Sequence, residues 1–226
     1  MKGLVMKKVV PILKYLGYIF AFTILTGIFS MLFSKMMSNL SQIASASVLL
    51  SHIVLMVFSK LVLKVDFRID FSVKHSWGRI ILLFLLSFVI QFVLGSFVES
   101  LFPDSLERQD VLLLLGDDIF LLLVTTLLIA PFFEELLFRR MGVHFMGKEY
   151  SNLAVGVITS LVFGLSHLQM TGNLVNRIYP VMTTSIMGAI AYSIYRKDEN
   201  ISSSMIYHFL FNIPAALITI LLPYLL

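Results

Sequence analysis

Seven long apolar segments divide this 226-residue chain, and they constrain its fold more than any other feature. The length of each segment is close to that of a membrane-spanning α-helix, which needs about 20 residues to cross roughly 30 Å of hydrocarbon. The segments span about residues 10–33, 43–63, 79–98, 119–141, 152–172, 178–195 and 202–225. Charged residues make up 13% of the chain, against about 25% in soluble domains. The sequence therefore predicts an all-α, polytopic membrane helix bundle with seven transmembrane helices.

Basic residues indicate how these segments are oriented. Lys and Arg favour the cytoplasmic side of a membrane. With the N-terminus inside, three of the 17 Lys and Arg residues fall outside, namely Lys35, Arg108 and Arg177. We therefore predict a multi-pass protein of the cell membrane, N-in and C-out, in one integral membrane domain over residues 1–226. The basic residues are dispersed between apolar segments, so no nucleic-acid partner is expected.

Ionisable and amide side chains cluster inside the apolar segments of the second half of the chain. A charged group near the middle of a bilayer costs about 2.5–3.5 kcal/mol on insertion scales, so it persists when it is paired or functional. The set is Glu134, Glu135, Arg139, His167, His208 and Asn212, with His144 less deeply placed. Acids, a base, imidazoles and an amide together suit a reaction site. The histidines for which we expect packing or interfacial roles are His52, His75 and His144.

The first motif is a pair of adjacent glutamates. Glu135 and Arg139 are four residues apart and share a helix face, with the acid first, which is the favourable order. Glu134 lies about 100° round the helix, and no base follows it four residues later. We therefore expect Glu135 to pair with Arg139 and Glu134 to serve another purpose. Pro131 removes the backbone bond to the carbonyl of Leu127 and can bend the helix. Interfacial charges at a helix end are the alternative interpretation.

The second motif combines Phe163 with His167, again four residues apart. Gly156, Ser160 and Gly164 form a stripe of small residues beside this face, which lets another helix approach closely. A histidine in a membrane helix is as often a packing residue as a catalytic one. The stripe by itself predicts only that helices touch here.

The third motif places His208 and Asn212 four residues apart. Asn212 could join helices by a hydrogen bond worth about 1 kcal/mol. An imidazole and an amide that point the same way could instead stabilise a developing oxyanion. Glu134 and His167 each lie roughly 24–25 Å from the turn expected near 149–151. We therefore expect them at one depth, in the inner half of the membrane.

With these residues the chain resembles the CPBP family, the CAAX prenyl endopeptidase and bacteriocin-processing proteins, also called Abi. That family carries E-E-x-x-x-R, F-x-x-x-H and H-x-x-x-N or similar motifs on successive membrane helices. The resemblance covers about residues 119–215, the expected protease core, and implies proteolysis within the membrane. It implies catalytic roles for Glu134, His167, His208 and Asn212. It implies site-supporting roles for Glu135, Arg139 and Phe163.

The resemblance implies a division of labour among these residues. Glu134 would be the general base that activates water, and His167 would help to orient that water. His208 and Asn212 would stabilise the oxyanion. The expected substrate is a hydrophobic or lipidated peptide or protein, in contact with membrane lipid, and the expected biological role is bacteriocin processing, self-immunity or peptide signalling. The oligomeric state is not predicted.

Metal dependence has two interpretations. Members of the family have been described both as metalloproteases and as metal-independent glutamate proteases. We favour a mechanism without a cofactor, because Asn212 is a poor zinc ligand and has a clear role there. The alternative is Zn²⁺ bound by Glu134, His167 and His208, with an open position for water. The chain has no Cys, which excludes thiolate ligands and nucleophiles.

Two other functions are compatible with polar groups in a membrane. A transporter would usually show internal repeats or broken helices in matching positions, and neither is visible in the sequence. A non-catalytic membrane protein, such as an immunity protein that binds a bacteriocin receptor, could keep the motifs for structure. In that case replacement of Glu134 by alanine should be tolerated.

Overall fold

Every regular element in the described part of the chain is helical. The structure is a computed structural model and describes residues 2–67, 69–71, 76–103, 119–170 and 172–225. Its helices are α1 Lys2–Phe33, α2 Leu40–Leu61, α3 Trp77–Leu101, a composite helix α4 over 119–146, α5 Asn152–Leu165, α6 Leu174–Asp198 and α7 Ile201–Leu225. The predicted all-α fold is confirmed for these residues.

Several helices run beyond the apolar segments that predicted them. α1 begins at Lys2 rather than near residue 10, since lysine is a good helix former whether or not it lies in hydrocarbon. α6 begins at Leu174 because Asn173 caps it: the Asn173 side chain accepts a hydrogen bond from the Asn176 N–H at 2.9 Å. Hydropathy marks the part of a helix that can lie in lipid, whereas caps mark where the helix ends.

α5 is shorter than predicted, and this corrects the expected segment 152–172. The helix ends at Leu165. The Phe163 carbonyl accepts hydrogen bonds from the Ser166 hydroxyl at 2.6 Å and from His167 Nδ1 at 3.0 Å. Side chains thereby donate hydrogen bonds to a carbonyl in the last turn of the helix. His167 consequently lies in the turn that follows α5.

Four of the described helices are long and apolar enough to cross a membrane. They cover Met6–Phe33, Gln42–Leu61, Trp77–Leu101 and Ile201–Ile218. α5 is apolar but has 14 residues, about 21 Å, which is less than the hydrocarbon thickness of roughly 30 Å. The chain has the helices of a membrane protein, while the count of seven spans and the N-in orientation stay predictions.

The helices group into two compact units. The first unit comprises the described residues of Met1–Arg68, Asp110–Ser151 and Asn212–Leu226, and the second comprises those of Ile69–Gln109 and Asn152–Phe211. In the first unit Tyr18 of α1 shares a hydrogen bond of 2.7 Å with Ser59 of α2. The Tyr18 ring also packs against Phe145 of α4, with ring centroids 5.7 Å apart. α1 therefore holds both of its neighbours through one tyrosine.

The second unit is built on close packing between α5 and α6. A Cβ on Gly156 would lie 2.7 Å from the Tyr192 ring. A Cβ on Gly164 would lie 2.6 Å from the Val181 carbonyl oxygen and would collide with the Ser185 hydroxyl. The close helix approach predicted from the small-residue stripe is confirmed. The turn between α6 and α7 is held by an ion pair of Arg79 with Asp198 and by a hydrogen bond from Asn200 to the Asp70 carbonyl.

We expect Gly164→Ala to destabilise the protein by about 1–3 kcal/mol, the usual cost of overpacking, because the Val181 backbone cannot move aside as a side chain can. Gly27→Ala in α1 is the matched control, since nothing lies within 4 Å of its Cβ position. Thermal unfolding in detergent measures both variants. Equal midpoints for the two variants would contradict close packing of α5 on α6.

Candidate active site

The glutamate motif lies in a helix that is twice widened to π-geometry. Along α4, the segments Thr125–Ile129 and Glu135–Arg140 are π-helical, and the α-helical segment Ala130–Glu134 separates them. Pro131 is buried in that separating segment. A proline has no N–H to donate, so the ordinary α-helical hydrogen bonding is interrupted there. Pro131 is flanked by π-turns, in which the regular α-helical hydrogen bonding is interrupted. Such turns are rare in proteins as a whole, but they occur often at functional sites.

Side chains from other helices donate hydrogen bonds to a carbonyl in each π-turn. Nδ2 of Asn212 in α7 donates to the Thr126 carbonyl at 2.8 Å. The hydroxyl of Tyr15 in α1 donates to the Phe138 carbonyl at 3.4 Å. In a membrane the backbone must find its partners within the protein. These bonds therefore attach α4 to its neighbours on both sides of the glutamates.

The predicted pair of Glu135 and Arg139 is confirmed. Nη1 of Arg139 lies 3.3 Å from Oε1 of Glu135, and both side chains are 0% exposed. Leu136, Leu137 and Phe138 between them are also buried. The interpretation of these charges as interfacial is therefore wrong. Removing one partner of a buried ion pair strands the other charge in an apolar setting, which is strongly destabilising.

A cluster of three rings supports α4 next to Glu134. The ring of His52 in α2 contacts Phe22 of α1 and Phe133 of α4 in tilted arrangements, with centroid distances of 4.4 and 4.9 Å. His52 Nδ1 donates to the Val48 carbonyl at 2.9 Å. Because Phe133 directly precedes Glu134, the cluster restrains the backbone that carries the half-buried Glu134 side chain.

Packing or interfacial roles were expected for His52, His75 and His144. His52 is buried and packs as predicted. His144 is exposed near the end of α4. His75 lies outside the described residues.

In the second unit the Phe163 ring contacts two imidazoles. The Phe163 ring, 1% exposed, lies edge-on to both: its centroid is 4.7 Å from that of His167 and 5.8 Å from that of His208. His208 is buried in α7, and His167 is half-buried. A carbonyl can only accept, so His167 Nδ1 donates to the Phe163 carbonyl. In a neutral ring this leaves Nε2 of His167 as an acceptor.

The site residues are distributed over both units. Glu134, Glu135, Arg139 and Asn212 belong to the first unit, and Phe163, His167 and His208 belong to the second. That the carboxylate and the imidazoles meet stays a prediction. Among the described residues, no three His, Asp or Glu side chains are grouped closely enough to hold a metal ion. The alternative zinc site also stays a prediction.

Residues 116–214 match a family model described as Rce1-like, type II CAAX prenyl endopeptidase. This segment is Rce1-like. It covers a little under half of the chain and contains every predicted site residue, from Glu134 to Asn212. For this segment, the family expected from the three motifs is confirmed. The Rce1-like segment supports a CAAX-type membrane peptidase in general. No curated protein and no solved structure matches the chain.

Thr126 and Tyr15 were not among the residues singled out from the sequence. Thr126 takes part through its carbonyl, and any residue type could supply that group. Tyr15 is fully buried in α1, outside the Rce1-like segment. The available signal was Pro131, which indicates a break in the hydrogen bonding but not which side chains repair it.

We expect Arg139→Ala to lower the free energy of unfolding by about 3–5 kcal/mol, because Glu135 would be left as a buried charge. Arg140→Ala is the matched control. Its Nε donates to the Asp66 carbonyl at 2.8 Å in an exposed setting, so about 0.5–1.5 kcal/mol is expected there. Chemical denaturation in detergent measures both. Equal loss of folded protein in Glu134→Ala and Arg139→Ala would refute the structural role of the pair.

Proposed function

We propose that this protein is an intramembrane endopeptidase of the CAAX protease and Abi type. It would hydrolyse a peptide bond in a hydrophobic or lipidated peptide or protein, with a water activated by Glu134. The observation that carries the proposal is the contact of both His167 and His208 with the buried Phe163 ring within the Rce1-like segment. A buried phenylalanine that holds two imidazoles edge-on suits a site more than general helix packing does.

In this mechanism Glu134 takes a proton from water as the water oxygen adds to the substrate carbonyl carbon. The same carboxyl then gives a proton to the leaving amine, so that hydrolysis yields a carboxylate and an amine. His167 orients the water through Nε2, the nitrogen not engaged with the Phe163 carbonyl. The ion pair of Glu135 and Arg139 keeps the face of α4 that carries it buried, and Glu134 lies off that face.

Asn212 and His208 would stabilise the oxyanion of the tetrahedral intermediate. An asparagine amide has two N–H bonds. One Asn212 N–H donates to the Thr126 carbonyl, which fixes the plane of the amide. The second N–H is then held in a defined direction, as a preorganised oxyanion donor should be. The two roles considered for Asn212, helix contact and oxyanion donor, are therefore compatible.

We favour the glutamate mechanism without a cofactor, with Zn²⁺ at Glu134, His167 and His208 as the alternative. The support is that Asn212 already acts as a hydrogen-bond donor, which suits an oxyanion more than a metal ion. The protein would act in the cell membrane, with its site toward the cytoplasmic half, on substrates that reach it from the bilayer or the cytoplasm.

The proposed reaction predicts cleavage of hydrophobic or lipidated peptides in proteoliposomes. Glu134→Gln should lower the rate by about 10²–10⁴, since the general base is lost, and His167→Ala should also lower it. Glu199→Gln is the control, because Glu199 is exposed in the turn after α6. Cleavage kept in the presence of chelator supports the glutamate mechanism, and loss supports zinc. Cleavage unaffected in well-folded Glu134→Gln would refute the proposal.

The dual role of Asn212 makes a separate prediction. Asn212→Ala should lower kcat by about 10²–10³, the usual effect of losing an oxyanion donor, and cost about 0.6–2 kcal/mol of stability. Tyr15→Phe is the matched control, because it removes the hydrogen bond to the other π-turn and leaves Asn212 in place. If Asn212 only attaches α7 to α4, the two variants should lose stability and kcat to similar extents.

A further inference from the structure

The first unit contains a groove of about 740 Å³ that the proposed reaction does not use. It is lined by the middle of α1, the end of α2, and the end of α4 with the turn that follows it. Its volume falls in the range of about 300–1,000 Å³ that is typical of small-molecule sites. All of the α1 and α2 lining lies outside the Rce1-like segment. The groove is therefore a feature of this chain beyond its matched family core.

The walls of the groove are apolar. Gly17 and Ala21 of α1, Leu55 and Phe58 of α2, and Phe145 of α4 line it. Phe58 is 43% exposed. In a soluble protein such a surface would be costly in water. In a membrane protein it suits a hydrocarbon chain.

The rim of the same groove is basic. Lys14 of α1 and Lys148 after α4 both line it and are exposed, and His144 lies with them. Glu149 also lines it and is the acid among its lining residues. Partial burial lowers the pKa of His144 below its usual value, and the positive charges of Arg140 and Lys148 lower it further. Positive charge is therefore concentrated around the His144 ring, at the mouth of the groove.

The length of α1 places this rim near the membrane surface. α1 has 32 residues, about 48 Å, and so exceeds the hydrocarbon thickness of roughly 30 Å. Its lysines lie in its first half, at Lys2, Lys7, Lys8 and Lys14. Lysines at helix ends extend their ammonium groups to the headgroup layer. The basic rim and the apolar walls therefore match the two parts of a phospholipid.

We propose that this groove binds an anionic phospholipid of the surrounding bilayer. Its phosphate lies at Lys14 and Lys148, and an acyl chain follows the walls formed by α1 and α2. Basic pockets between membrane helices bind anionic headgroups in this manner. A zwitterionic lipid would bring a cationic amine to the same rim and is disfavoured. Binding joins α1 to the end of α4, and it does not depend on the proposed peptidase activity.

The test is native mass spectrometry of the full chain, released from micelles that contain equal amounts of phosphatidylglycerol and phosphatidylcholine with the same acyl chains. Wild type should retain phosphatidylglycerol in preference. The double variant Lys14→Gln/Lys148→Gln should lose that preference, by about fivefold for each lysine, which is the usual effect of a basic residue at a membrane surface. Lys14→Arg/Lys148→Arg should keep it, since the charge is conserved.

Lys197→Gln is the matched control, because it removes one charge from an exposed lysine near the end of α6, in the second unit. It should leave the lipid preference unchanged. Circular dichroism confirms that each variant is folded, and Lys14 and Lys148 are both exposed. Equal retention of the two lipids by wild type would overturn the proposal. So would an unchanged preference in the double glutamine variant, or an equal loss in Lys197→Gln.

Discussion

Glu135 and Arg139 form an ion pair inside one helix, and both side chains are shielded from solvent. Two charges in such a place are tolerated because each neutralises the other, so the face of α4 that carries them must stay against protein. This requirement fixes the orientation of α4 about its own axis. Glu134, the residue before Glu135, is thereby directed away from the pair and remains half-buried. The position of Glu134, the expected general base, therefore follows from the requirement that Glu135 pairs with Arg139.

The backbone of α4 also depends on partners from other helices, because it contains two π-turns. A helix in hydrocarbon satisfies its own carbonyls, and a helix widened around a proline does so less regularly. Asn212 and Tyr15 donate to carbonyls in these turns from two different helices. These two hydrogen bonds to the π-turns of α4 therefore contribute to the stability of the first unit. A site residue such as Asn212 is then also a structural residue, which is why its variants need a matched control.

Much of this arrangement was accessible from the sequence. Apolar length predicted the helices, charge spacing predicted the pair of Glu135 and Arg139, and the stripe through Gly156 and Gly164 predicted close packing. The end of α5 was missed because side-chain hydrogen bonds to the Phe163 carbonyl decide it, and hydropathy does not register them. The π-turns were missed because a bond five residues back leaves no periodic pattern of residue types. The position of Phe163 between two histidines depends on the packing of α5 with α7, which spacing within one helix cannot show.

The π-turn at Thr125–Ile129 has a consequence for how chains of this kind can vary in length. A π-turn holds one residue more than an α-helical turn, so deleting a residue there could restore regular hydrogen bonds. The residues that follow would keep nearly the same orientation, because the π-turn already accommodates its extra residue within a single turn. Both glutamates would then stay on their faces while the helix itself became more regular. A one-residue gap at this point in an alignment of related chains would therefore be compatible with the site, whereas the same gap in a regular α-helical turn would rotate both glutamates by about 100°.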